Sequence, residues 1–340
     1  MAYTTIKKPS DYFNTKLYSG NGSTQSITGV GFQPDWCWIK SRSQAYNHTS
    51  WDAVRGAGER LIPNATDAEE TQTGDMSAFI TDGFTLGGGN VTNQSSQTYA
   101  SWNWLANGTG VANTDGSISS TVSANTTSGF SIVSYTGTGA NATVGHGLGS
   151  VPKMMIIKNR DSAEEWGVYH VANGNTHVQY LNTTGAKSDD AGFWNDTTPT
   201  SSVFTVGNST RVNQNGSAMI AYCFAEKQGY SKFGSYTGNG STDGAFVYTG
   251  LKPAFILAKR TDSTSGWGMY DNKREPYNLN DTRLLANTSG ADDTSTDNGI
   301  DFLSNGFKWR TASGWNASAS YIYMAFAEEP LVGDNPATAR

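Results

Sequence analysis

Three pairs of basic residues recur at matched places in this chain: Lys40 with Arg42, Lys158 with Arg160, and Lys259 with Arg260. Each lysine ends a Pro-x5-Lys stretch, running from Pro34, Pro152 and Pro253 respectively. Downstream, at aligned positions, stand Asp52, His170 and Asp271, each preceded by a ring (Trp51, Tyr169, Tyr270). A cation, a carboxylate and an aromatic face form one kind of sugar pocket, the ring stacking and the charges bonding hydroxyls. The structural alternative is a Lys–Asp pair closing the end of a buried strand, with the lysine stem packed on the neighbouring tryptophan. We prefer the second, because a charge near a core must find a partner. His170 in place of an aspartate weakens both readings equally.

Other chemistries find less support. The four histidines (His48, His146, His170, His177) show no His-x-His or His-x-x-x-His spacing, which argues against a metal site. No serine sits in a Gly-x-Ser-x-Gly elbow. Adjacent acidic pairs such as Glu69-Glu70, Glu164-Glu165, Asp189-Asp190 and Asp292-Asp293 lie in polar stretches, where solvated charge explains them without a glycosidase acid and base. The acidic loop 292–301 lacks EF-hand spacing for calcium. No cofactor and no enzymatic activity are expected.

The elements that position these residues repeat. Tyr18-Ser-Gly-Asn-Gly-Ser-Thr returns at Tyr135-Thr-Gly-Thr-Gly and at Tyr236-Thr-Gly-Asn-Gly-Ser-Thr. Later in each copy come an asparagine turn (Asn64, Asn182, Asn287), a Phe opening a strand (Phe84, Phe204, Phe307), and an aromatic strand over Tyr99–Trp104, Met219–Phe224 or Tyr321–Phe326. The Pro-x5-Lys stretches are apolar on both alternating faces, the mark of a strand buried on both sides. Asp82-Gly83 and Asn305-Gly306 read as type I′ hairpins. No segment holds helical periodicity over ten residues. The expected fold is all-β, three tandem β-sandwich units of jelly-roll or lectin-like type, each with its own core. We place an N-terminal arm at 1–17, units at 18–106, 135–226 and 227–328, a linker with lead-in strand at 107–134, and a tail at 329–340.

Composition narrows the class. At 340 residues with 15% charged side chains and 10 Trp, 16 Tyr and 14 Phe, the chain must bury many rings and is not disordered. A net charge of −6 without a basic cluster argues against nucleic acid as a partner. Cys37 and Cys223 fall in different units and read as small buried hydrophobes. No apolar run reaches the length of a membrane span, and the N-terminus lacks the apolar core of a signal peptide, so assembly in a cytoplasm is expected.

The run Tyr18-Ser-Gly-Asn-Gly-Ser-Thr-Gln-Ser-Ile-Thr-Gly-Val-Gly-Phe-Gln-Pro-Asp-Trp36 resembles proteins common in marine bacteriophages. So do Val144-Gly-His-Gly-Leu-Gly-Ser-Val-Pro-Lys153 and Ala325-Phe-Ala-Glu-Glu-Pro330. Such proteins are described as tail fibres or uncharacterised virion proteins, and the resemblance spans roughly 13–330. It implies a virion structural protein assembled with other virion proteins, but carries no catalytic residues. The first expectation is a tail-fibre or tail-tip adhesin for a host surface polysaccharide or outer-membrane protein. Linked modules, and a homo-oligomer such as a trimer, would add avidity. The second is a capsid decoration or head-fibre protein docked by the arm from Lys7 to Tyr18. The third, a polysaccharide depolymerase, lacks a carboxylate pair.

Overall fold

The computed structural model describes residues 4–330 and 332. It is all-β, with antiparallel sheets and only short helical turns. One strand order appears three times. In the first sheet it is Phe13–Ser19, Thr98–Trp104, Trp36–Ser41, Thr49–Asp52, Gly56–Leu61. In the second it is Phe130–Thr136, Ala218–Ala225, Pro152–Asn159, Gly167–His170, His177–Tyr180. In the third it is Ser231–Thr237, Ser320–Pro330, Leu251–Arg260, Trp267–Asp271, Thr282–Leu285. Across the outer face of each lies a small sheet: Gln25–Thr28 with Gly83–Leu86 and Met76–Ile80, Ala142–Gly145 with Val203–Val206, and Phe246–Tyr248 with Gly306–Trp309 and Ile300–Leu303.

The Pro-x5-Lys stretches form the central strands and are buried on both faces, as their apolar alternation requires. Outward residues (Cys37 and Ile39, Met155 and Ile157, Ile256 and Ala258) pack beneath the small sheets in three separate clusters, giving each unit a sandwich-like layering. Inward residues all enter one further core. Trp36, Trp38, Met154, Ile156, Phe255 and Leu257 belong to a single buried cluster drawn from all three sheets. The expectation of serial domains, each closed on its own core, is therefore corrected. The units share their largest core.

That core has a three-fold plan. Trp104, Phe224 and Phe326 occupy matching register positions, paired with Trp36, Met154 and Phe255. Their rings meet with centroids 5.8 to 6.4 Å apart. Trp36 also stacks on Tyr222 of the second sheet at 4.3 Å. Offset and edge contacts of this kind add stability beyond area burial.

Boundaries shift accordingly. Phe13–Ser19, which the arm and its docking role included in part, is an edge strand paired along its length with Thr98–Trp104. The stretch read as linker contributes Val111–Asn113 and Ser120–Asn125 to the second sheet. Of the expected tail, Glu329 and Pro330 end the last strand; the rest, Val332 apart, lies outside the described residues.

The expected hairpins exist but their turns differ. The loops are Thr81-Asp82 and Ser304-Asn305, and none of these four has positive φ, so type I′ is excluded. The glycines serve another purpose. A Cβ on Gly83 would stand 1.9 Å from the Ile27 carbonyl oxygen, and one on Gly306 2.1 Å from that of Val247. They let a third strand close on the hairpin.

Candidate functional site

The recurrent basic residues do not converge on one pocket. Lys40, Lys158 and Lys259 point inward at the end of the shared core and are fully buried. Their ammonium groups donate to main-chain carbonyls: Ser41 and Gln44 (2.6 and 3.0 Å), Asn159 and Ser162 (2.6 and 2.9 Å), Arg260 and Thr184 (2.8 and 3.2 Å). Among the described residues no carboxylate lies within ion-pair distance of them, which corrects the expected Lys–Asp pairing. Burial lowers each to a pKa of about 8.

Asp52 and Asp271 instead organise junctions between units. The Asp52 carboxylate accepts from Arg55 Nε (2.5 Å) and from the Tyr222 hydroxyl of the second unit (2.8 Å). Arg55 continues to Glu69 (2.9 Å), which takes both arms of Arg160 from the second unit (2.9 and 2.5 Å). Burial pulls Arg55 down, but Asp52, Tyr222 and Glu69 outweigh it and leave it raised. The third unit repeats this toward the first. Asp271 accepts from Arg274 (2.6 Å) and from Trp102 Nε1 (3.2 Å), and Asp292 joins Arg274 (2.9 Å) to Arg42 (2.8 Å).

The remaining junction, between the second and third units, lacks this Asp–Arg chain among the described residues. In the third unit the position of Tyr222 and Trp102 is held by Met324, which has no donor. Opposite it stands His170 rather than aspartate. Its Nδ1 accepts from the Ala172 N–H (3.2 Å), so Nε2 carries the proton and donates to the Tyr323 carbonyl (3.1 Å). Burial lowers this imidazole to about 4. Lys187 sits where Glu69 and Asp292 sit, and its main-chain N–H bonds the Thr261 carbonyl, as theirs bond Arg160 and Arg42. Thr261, not Arg260, is thus the counterpart of Arg42 and Arg160. Arg260 turns instead to Asp262 (2.6 Å).

A second ring of bonds explains the recurrent asparagine turns. Asn64, Asn182 and Asn287 accept from the N–H groups of His48, Trp166 and Trp267 (2.7, 3.0 and 2.8 Å). Those three rings each reach a neighbouring unit: Trp166 to the Ile62 carbonyl (3.1 Å), Trp267 to that of Tyr180 (2.9 Å), His48 to that of Leu285 (3.1 Å). The Tyr-x-Gly-x-Gly signature is also architectural. Buried Asn93, Asn213 and Asn316 accept from the N–H groups of Asn21, Thr138 and Asn239 while donating to two carbonyls each. Sequence reading passed over these three asparagines, although their recurrence shortly before each aromatic strand was a usable signal. The acidic loop is likewise engaged: Asp293 pairs with Arg283 and Asp301 with Arg310.

What remains for binding is the surface, and one face differs. Among the described residues seven large apolar side chains are exposed, and four of them, Phe246, Tyr248, Tyr277 and Leu279, belong to one region of the third unit. Phe246 and Tyr248 project outward from the small sheet, 48% and 58% exposed, across from Lys308 and Gly306. Asn278 bonds Phe302 through both amide atoms (2.9 Å each), which ties the Tyr277–Leu279 segment to the far edge of that sheet. Lys308, across from Phe246, pairs with Asp243 (2.6 Å). The matching positions are Ser26 and Thr28 in the first unit and Thr143 and Gly145 in the second. Only the third unit carries rings there.

A family model described as a domain of unknown function (DUF7483) matches residues 8–330. The chain belongs to this family. The matched stretch runs from beside the Pro9–Asp11 turn to the last residue of the final strand, so the family's domain takes in all three sheets together. No curated protein matches the chain. No helix among the described residues is long and apolar enough to cross a membrane.

Proposed function

We propose that this protein is a non-enzymatic bacteriophage virion component of the tail-fibre or tail-tip type that holds a host surface glycan on the outer face of its third unit. The observation that carries this reading is the exposed pair Phe246 and Tyr248, rings absent from the matching positions of the other two sheets. Exposed rings on a rigid sheet stack on the apolar faces of sugars, and the neighbouring Lys308, Asp243 and Arg310 supply donors and acceptors. Such a shallow face gives weak binding, near a Kd of about 1 mM or about −4 kcal/mol per site. The motif resemblance to phage virion proteins supplies the setting.

The test is retention of purified protein on immobilised bacterial surface polysaccharides, comparing the natural chain with Phe246→Ser/Tyr248→Thr, which installs the first unit's residues. Binding by the natural chain and its loss in the variant supports the reading. Equal retention of both, or none by either, overturns it. The closed three-unit plan favours a second reading, decoration of the capsid where three shell subunits meet. Antibody labelling of virions separates the two, at the tail end for the first and over the head for the second.

A further inference from the structure

Where the third unit meets the first, a cleft of about 150 Å³ is lined by Phe13, Asn14 and Thr15 of the first edge strand and by Asn272 and Lys273 of the turn after Trp267–Asp271. Asn272 is 2% exposed and Thr15 5% exposed. Among the described residues neither the Asn272 carbonyl oxygen nor its amide nitrogen has a hydrogen-bond partner, and the Thr15 hydroxyl has none. A buried polar atom without a partner costs about 1–3 kcal/mol, so three on one small cleft call for a reason.

The other two junctions show that architecture does not demand them. Asn272 donates its N–H to the Ala254 carbonyl as Ala53 does to Asp35 and Val171 to Lys153, which makes these three positions equivalent. Thr15 pairs with Trp102 as Ile132 pairs with Tyr222 and Phe233 with Met324. Both positions are apolar in the other units and polar only here.

We propose that this cleft is a ligand site for a neutral polyol, one hydroxyl-bearing sugar residue. Turned from the wall into the cleft, the Asn272 carboxamide presents a donor and an acceptor side by side, and its complement is a pair of adjacent hydroxyls that can accept from Nδ2 and donate to Oδ1. Thr15 adds a third contact. An anion would offer no proton to Oδ1, and a simple cation would leave Nδ2 unpaired. The cleft shares Asn14, Thr15 and Lys273 with a shallower groove of about 350 Å³ along the same strand, which gives a longer glycan a way out. The site is separate from the ring face and does not depend on it.

The experiment is a nuclear magnetic resonance titration of the isotope-labelled full chain with glycerol, glucose, galactose, mannose and N-acetylglucosamine. At least one sugar is expected to shift the amide signals of Asn14 to Lys16 and Asn272 to Lys273. The double variant Thr15→Val/Asn272→Leu is expected to weaken that binding about tenfold or more while melting no lower than the natural chain, since it removes unpaired polar atoms rather than bonds. Phe246→Ser/Tyr248→Thr leaves these shifts in place. The proposal fails if no sugar moves those amides, if the Thr15/Asn272 variant binds as before, or if the ring-face variant abolishes the shifts.

Discussion

Lysine ammonium groups held only by carbonyl dipoles are costly to bury, and this protein buries three. Their lowered pKa of about 8, against 10.5 for a solvated lysine, fixes the sign of a pH effect. Between these values the unfolded chain holds protons that the folded chain has released, so stability rises with pH across that window. Tyr18, Tyr135 and Tyr236 are raised by burial above their usual value of 10.0 and act in the opposite direction beyond it. The thermal midpoint is therefore expected to climb from pH 8 to about pH 10 and then decline. Lys158→Met, which keeps the packed stem, should flatten the climb; a midpoint that falls steadily from pH 8 would contradict the burial argument. The residue scale is also where sequence reading failed. Lys40 and Arg42 are two apart, hence on one face of a strand by simple alternation. Yet Lys40 closes the core, while Arg42, just past the strand end, leaves for the third unit. Asp52 with Arg55, and Asp271 with Arg274, sit three apart and could have been paired on paper. Their partners Tyr222 and Trp102 belong to other units, and no local pattern announces them.

At the scale of strands and junctions, the charged links are built so that no member can be removed alone. Asp52 and Arg55 side chains are both fully buried, and Arg55 also serves Glu69. Asp52→Asn should leave that guanidinium short of charge and cost about 3–5 kcal/mol. The measurement is the shift in urea midpoint, and a change below about 1 kcal/mol, the scale of a surface ion pair, would show that the junction relaxes. The central strands were legible because apolar residues on both alternating faces can only lie between two layers. The hairpin glycines were legible as positions but not in purpose, since Gly83 and Gly306 answer to a third strand distant in sequence. The ring face could be noticed only as scattered aromatics, because its exposed residues come from two segments distant in sequence, one at each edge of the small sheet.

For the whole molecule, the decisive fact is that inward faces rich in tryptophan have no partner except each other. A fragment spanning residues 8–106 would present Trp36, Trp38, Trp102 and Trp104 to water. It is expected not to fold alone, and the intact chain to melt in one transition whose calorimetric and van't Hoff enthalpies agree. A fragment with native-like near-ultraviolet dichroism would sink this claim. Avidity from flexibly linked modules is likewise not available to sheets locked around one core; any multiplicity would come from copies of the whole chain. The position of Gly229 carries one more consequence. A Cβ placed there would touch both Thr4 (3.0 Å) and Pro330 (3.3 Å), so the first described residue and the end of the last strand lie at the same spot. The path of the backbone is nearly a loop, and its opening point is arbitrary as far as the packing is concerned. A short peptide joining Thr4 to Pro330, with a new break at the exposed Thr126–Thr127 turn, should therefore yield a rearranged chain that reads second, third, first and still closes into the same molecule.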